Sequence, residues 1–234
     1  MRGIILAGGT GSRLGPLTRA VNKHLLPVGG VPMIDWPIET LRALGVELDN
    51  ITIVSSPDGI GQIARYLGEG YTYRVQDKPG GIVQALDCAG RGSKKENIAV
   101  ILGDNIFLPP PRLLEEKHRP MACVFLKEVP AGRLCEFGVP TFNEFSEIEY
   151  VTEKPVAPAS KYAVTGLYEL WSDVFDCIAN IKPSARGECE ITDLLNLYAR
   201  DKLLDYVVCK EGFWGDAGTL AGMAECSVAT QVWK

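Results

Sequence analysis

The chain has 234 residues, 46% hydrophobic and 23% charged, a composition that supports a packed core and excludes a disordered or low-complexity chain. A formal net charge of -5, with no run of lysines and arginines, argues against sequence-independent attraction to nucleic acid, and no apolar stretch approaches the roughly 20 residues of a membrane helix. A cytoplasmic setting is expected: Met1 leads into a motif instead of a cleavable signal, and the seven scattered cysteines read as free thiols of a reducing compartment.

In chain order, residues 3–7 are a short apolar run with adjacent isoleucines, cut off by glycines, which predicts a strand buried on both faces. Similar runs recur at 51–54 and 98–102, separated by segments of helical spacing such as Ile34, Ile38, Leu41 and Leu44. Strands alternating with helices predict an α/β fold: a Rossmann-like, mixed, mostly parallel sheet flanked by helices. Beyond Leu102 the pattern changes. Residues 122–126, 138–142, 148–151 and 163–170 look extended with few helices between them, a mixed or antiparallel half. Helices are expected over 173–181 and 192–199, a final strand over 204–209 and a last helix over 220–232. With no repeat and no linker, residues 1–234 read as one domain.

With only His24 and His118 available, carboxylates, lysines and arginines must carry any catalysis. The run Leu6-Ala7-Gly8-Gly9-Thr10-Gly11-Ser12-Arg13-Leu14 leaves the first strand at its carboxyl end, where open parallel sheets place ligands. Its glycines let backbone amides approach a phosphate, and Arg13 can add a charge-assisted grip. Two familiar phosphate loops are excluded by spacing: no GKS or GKT follows, and Leu14 stands at the third Rossmann glycine. A purely structural turn stays open for this loop alone, as it does for Gly103-Asp104-Asn105, although Asp104 should end a buried strand nearby.

The glycine loop is followed by Pro16-Leu17-Thr18, Lys23 and Leu25-Leu26-Pro27-Val28, and this whole stretch from Gly3 to Val28 resembles the signature of sugar-1-phosphate nucleotidyltransferases, most closely glucose-1-phosphate thymidylyltransferases. The resemblance implies that Arg13 and Lys23 are catalytic, neutralising nucleotide phosphates. It puts Leu6, Gly8, Gly9, Thr10, Gly11, Ser12, Arg13 and Asp104 on the nucleotide, with Gln76 and Gly81 at the pyrimidine base. Asp104 and Asp216, the latter in Trp214-Gly215-Asp216-Ala217-Gly218-Thr219, would bind Mg2+ with phosphate oxygens and waters. Gly138, Glu153, Lys154, Val164, Tyr168 and Arg186 fall where the family holds the hexose and its phosphate. Thr192 or Asp193 is expected to cap the helix after Arg186, and Glu190 to be structural.

By resemblance, residues about 1–120 form the nucleotide-binding portion and about 121–234 the sugar-phosphate portion. The implied reaction joins a nucleoside triphosphate, preferably dTTP, to a hexose 1-phosphate, preferably α-D-glucose 1-phosphate, giving dTDP-glucose and pyrophosphate. UTP and other hexoses stay open, as does a homo-oligomer. A metal-dependent glycosyltransferase and a non-catalytic nucleotide-sugar sensor are the rival readings; neither nucleic acid nor membrane is an expected partner. Gly29-Gly30-Val31, Phe137, Gly215 and Ala217 depart from the family pattern. Only eighteen residues follow Asp216, which reads as a short form lacking the C-terminal helical extension, with feedback inhibition at the secondary nucleotide site weakened or absent.

Overall fold

A computed structural model describes residues 1–9, 11–90, 92, 95–114, 120–182 and 187–233. The elements, in order, are β1 (Arg2–Ala7), β2 (Pro27–Val28), β3 (Val31–Pro32), α1 (Asp35–Ala43), β4 (Ile51–Ser55), α2 (Pro57–Leu67), β5 (Thr72–Val75), α3 (Ile82–Ala89) and β6 (Asn97–Leu102). There follow β7 (Asn105–Leu108), β8 (Ala122–Glu128), β9 (Gly138–Phe142), β10 (Ile148–Glu153), β11 (Tyr162–Trp171), α4 (Val174–Ile178), α5 (Ile191–Arg200), β12 (Leu204–Val208), β13 (Phe213–Asp216) and α6 (Leu220–Trp233).

A seven-stranded sheet runs β12-β8-β11-β6-β1-β4-β5. Strands β6, β1, β4 and β5 pair in parallel, and β8 with β12 likewise; β11 is antiparallel to both β6 and β8, so it alone is reversed. This is the mixed, mostly parallel α/β architecture that the alternating pattern predicts. Side chains alternate along β1: Ile4 and Leu6 join a core with α3, α4 and α5, whereas Ile5 and Ala7 join another with α1 and α2. Burial on both faces is why the strand reads as an unbroken apolar run. A third, smaller core gathers Val28, Met33, Ile106, Leu108, Ala217 and Cys226, tying β7 and β13 to α6.

The second half is mixed, as expected: β8, β11 and β12 extend the main sheet, with β11 antiparallel to its neighbours, and β9 and β10 form an antiparallel ribbon of their own. Several boundaries differ from the sequence expectation. The strand at 204–209 is not the last, because β13 pairs antiparallel with β7. In Phe213-Trp214-Gly215-Asp216 two strand-favouring aromatics are offset by a glycine and an aspartate, so this short run gave no clear strand signal. The helix expected over 173–181 ends at Ile178; Asn180 and Ile181 donate to carbonyls three residues back, a tightening consistent with the Pro183 just ahead in the sequence. No helix among the described residues is long and apolar enough to cross a membrane.

Helix α6 packs on the turn between β2 and β3, where Gly29 has φ +64° and a Cβ would run into Thr230 Oγ1. Gly29→Ala is therefore expected to cost more than about 1 kcal/mol. At roughly 2–4 °C per kcal/mol for a chain of this size, calorimetry should show a lowered Tm; a Tm within about 1 °C of the parent would contradict the packing.

Candidate active site

The loops leaving β1, β5 and β6 meet at the carboxyl edge of the sheet, where side chains distant in sequence converge. After β1, a Cβ on Gly8 would strike Gln76 Oε1, and one on Gly9 would lie 3.1 Å from Lys23 Nζ. Gly11 turns the chain with φ +69°, against Thr18. Lys23 starts a short 3-10 turn, Lys23–Leu25, capped by Asn22, whose Oδ1 accepts the His24 amide at 2.9 Å. This turn sends the Lys23 ammonium inward to Asp104 Oδ2, 2.6 Å away, with both residues buried.

Asp104 follows β6 in the turn leading to β7. Its Oδ1 accepts from Asn105 Nδ2 at 3.2 Å, and its carbonyl accepts the Ala217 amide at 2.8 Å. Burial opposes its ionisation, but the neighbouring Lys23 charge and the side-chain hydrogen bonds from Lys23 and Asn105 outweigh burial and hold the carboxyl well below the usual carboxylate range. Asp216 ends β13 directly opposite Asn105, and its Oδ1 accepts the Gly218 amide at 2.7 Å. Burial, then the charge of Asp104, push Asp216 up to about 6.

Gly218 measures the convergence. A Cβ there would lie 2.8 Å from Asp216 Oδ1, 2.9 Å from Asp104 Oδ2 and 3.2 Å from Arg13 Nη2. Two carboxylates close enough that the charge of Asp104 raises the proton affinity of Asp216, with hard oxygen donors, fit a divalent cation that takes its remaining ligands from a substrate and water. Among the described residues no group of three or more acidic, histidine or cysteine side chains supplies an all-protein cage.

Two adjoining cavities open from this point. One, about 310 Å³, is walled by Leu6, Gly8, Gly9, Lys23, Gln76 and Gly81, the residues expected at the nucleotide. The other, about 200 Å³, is walled by Gly138, Val164, Tyr168 and Asp216, the last joining residues expected at the sugar. Arg13, Asp104, Glu153 and Lys154 line both. Gln76 Nε2 donates to Gly81 O at 3.2 Å, and a Cβ on Gly81 would lie 2.6 Å from Cys189 O, so this loop is pinned by the segment before α5. Val164 and Tyr168 flank a register break of β11 against β8, and Lys154 pairs with Glu153 at 3.0 Å.

Gly11 and Ser12 line neither cavity; Gly11 shapes the loop, and Ser12 is exposed. Thr10 and Arg186 lie outside the described residues. Glu190, expected to be structural, lines both cavities, and α5 begins at Ile191 with Glu190 at its N-cap, so neither Thr192 nor Asp193 is the cap. A larger cavity, about 760 Å³, lies elsewhere, between β10, the end of α5 and β12, and holds none of the candidate residues.

Asn105 was given no role in the sequence expectations. It is buried, and its Oδ1 accepts both the Gly166 amide at 2.9 Å and Trp214 Nε1 at 2.8 Å while its Nδ2 holds Asp104. Trp214 in turn packs at a tilt against Phe137, ring centroids 5.1 Å apart. The pairing of Asn105 with Trp214 joins β7 to β13 across a long stretch of chain, which no local spacing signals.

The Asp216 shift has a testable sign. Folding raises this carboxyl from its ordinary 3.8, so the ionised group costs stability above about pH 6, and that cost vanishes as pH falls below about 3.8. In EDTA, Asp216→Asn should raise Tm at about pH 7.5, and the gain should shrink towards pH 4. A Tm below that of the parent at both pH values would contradict the crowding.

The nucleotidyl transferase family model matches residues 2–231. A glucose-1-phosphate thymidylyltransferase from Neisseria meningitidis is 37% identical over 99% of this chain and 83% of its own length; one from Mycobacterium tuberculosis is 34% identical over 97% and 81%. A crystal structure from Bacillus anthracis, assigned to the same activity and in complex with a sucrose, is 40% identical, with TM-score 0.84 over 99% of this chain and 95% of that one. A UDP-glucose pyrophosphorylase complexed with UDP-glucose also matches at TM-score 0.84 over 100% and 99% of the two chains, but at 23% identity it shares the fold alone. A match running almost end to end, on a scaffold that brings Arg13, Lys23, Asp104 and Asp216 together, makes the chain a member of the nucleotidyl transferase family.

Proposed function

We propose that the chain transfers a deoxythymidylyl group from dTTP to α-D-glucose 1-phosphate, releasing pyrophosphate and forming dTDP-glucose. The observation that carries this reading is the meeting of Arg13, Lys23, Asp104 and Asp216 where the two cavities join. The names of relatives at 34–37% identity support the choice of thymidylyl and glucosyl partners.

An oxygen of the sugar phosphate attacks the α-phosphorus in line, forming the new O–P bond as the bond to the β-phosphate bridge breaks and pyrophosphate departs with the electron pair. The nucleophile is already anionic, so no strong base is required. Catalysis consists of bringing two mutually repelling anions together and offsetting charge on the phosphoryl oxygens. Arg13, on the wall of both cavities, and Lys23, held against Asp104 on the wall of the nucleotide-side cavity, supply fixed positive charge. Asp104 and Asp216 would hold Mg2+, which supplies further positive charge to the phosphates. Gln76 and Gly81 sit for the base, and Gly138, Glu153, Val164 and Tyr168 for the hexose. Glycine loop and base residues lie within residues about 1–120 and hexose residues within about 121–234, the division of labour we assign. All seven cysteines are free thiols, which favours a reducing, cytoplasmic setting.

A matrix of triphosphates against sugar 1-phosphates, read by pyrophosphate release with and without Mg2+, tests the assignment. The dTTP and glucose 1-phosphate pair should be fastest, with UTP the nearest competitor, because one methyl group discriminates by only about 1–3 kcal/mol. Lys23→Gln and Asp104→Asn should each lower turnover on the order of 100-fold or more. Near-parent turnover in both variants refutes the assignment; tight binding of a nucleotide sugar without turnover would indicate a sensor.

A further inference from the structure

Lys23 and Asp104 are brought to 2.6 Å from opposite sides of a tight packing contact that neither residue makes. Beside this pair lies the imidazole of His24, 1% exposed, on the residue after Lys23. It faces Gly103, the residue before Asp104: a Cβ on Gly103 would lie 2.6 Å from His24 Cδ2 and 2.9 Å from His24 Nε2. The other side of Gly103 is held as well, because its amide donates to Leu6 O at 2.9 Å at the end of β1. The backbone carrying Asp104 is thus clamped between β1 and a histidine ring.

The ring is itself held in one orientation. His24 Nδ1 and the His24 amide both lie 2.9 Å from Asn22 Oδ1. An amide oxygen only accepts, so Nδ1 carries a proton; burial, and then the Lys23 charge, disfavour the imidazolium, which leaves Nε2 without one. Asn22 is anchored in turn: its amide donates to Gln62 Oε1 on α2 at 2.8 Å, and its side chain packs against Gly59. The His24 carbonyl accepts the Ile34 amide at 2.8 Å at the start of α1.

We propose that His24 is a positioning residue: its neutral Nδ1–H imidazole, oriented by Asn22 and pressed against Gly103, sets the separation between Lys23 and Asp104. The inference rests on the nucleotidyl-transfer reading above for its kinetic readout. A spacer must be uncharged to sit beside both an ammonium and a carboxylate without competing for either. It must also be planar and rigid to hold a distance, and an imidazole locked through one nitrogen meets both needs. Gly103 is the matching half of the pair, since any side chain there collides with the ring.

Gly103→Ala should lower kcat on the order of 10- to 100-fold, the scale of a misplacement near 1 Å. The KM for sugar 1-phosphate should stay within about twofold, because the sugar cavity is untouched. His24→Ala should also be impaired alone, but Gly103→Ala combined with His24→Ala should recover several-fold over Gly103→Ala, since removing the ring makes room for the new methyl. Parent-like kcat in Gly103→Ala, or a double loss equal to the product of the single losses, overturns the proposal. Should Gly103→Ala fail to fold, Asn22→Leu, which removes the orienting oxygen at similar volume, should show the same kcat loss; unchanged kcat there also overturns it. Nitrogen-15 spectra of the imidazole, readable because the chain has two histidines, should show the Nδ1–H tautomer for His24, and an Nε2–H tautomer would sink the idea whatever the activity. If the parent protein releases no pyrophosphate with any substrate pair, the functional reading fails, while the tautomer result still decides the contact.

Discussion

A 2.6 Å contact between Lys23 Nζ and Asp104 Oδ2, with little water at either group, sets the electrostatics of the cleft. Desolvating both charges is expensive, and the pair persists because each also has neighbours that suit it. Asp104 has the Asn105 amide, and Lys23 has the approach of the glycine loop. Once Asp104 is fixed as an anion, Asp216 beside it can ionise only against that charge, which raises its carboxyl. The cleft thus holds paired cationic side chains and two crowded carboxylates before any substrate enters. Such a prearranged field is what a reaction between two anions needs, because the protein does not have to reorganise as charge develops.

The fold serves this arrangement by placing the ends of distant strands at one edge. Runs such as residues 3–7 and 98–102 were legible because strands buried on both faces have no polar side to interrupt them. β7 and β13 were not legible as strands. Their pairing exists because β13 returns the chain to the loop after β6, and the third core, around Ile106, Ala217 and Cys226, holds it there. Without that ribbon Asp216 would have no route to Asp104.

Much of the site could be read because chemistry-bearing residues sit in short runs with little freedom: glycines before Arg13, an aspartate ending a buried strand. The resemblance to nucleotidyltransferases organised those runs into one pocket, which single motifs could not do. Asn105 and His24 were given no role, and Glu190 only a structural one, for a common reason. Each acts through partners far away in the chain, Asn105 on Trp214 and Gly166, Glu190 on the wall of both cavities, His24 against Gly103. Spacing cannot reveal a contact made by folding. The departures at Phe137 and Gly215 also gain a physical setting: Phe137 packs at a tilt against Trp214, and a Cβ on Gly215 would lie 2.5 Å from Cys226 Sγ on α6.

The central claim is that Asp104 and Asp216, residues on separate strands, act on one cation at the nucleotide phosphates. Electron paramagnetic resonance of Mn2+ titrated into the protein with dTTP tests this most directly. One tightly bound ion per chain is expected, lost when either Asp104→Asn or Asp216→Asn is introduced. Undiminished binding in Asp216→Asn would show that the two carboxylates do not share an ion, and would contradict the account.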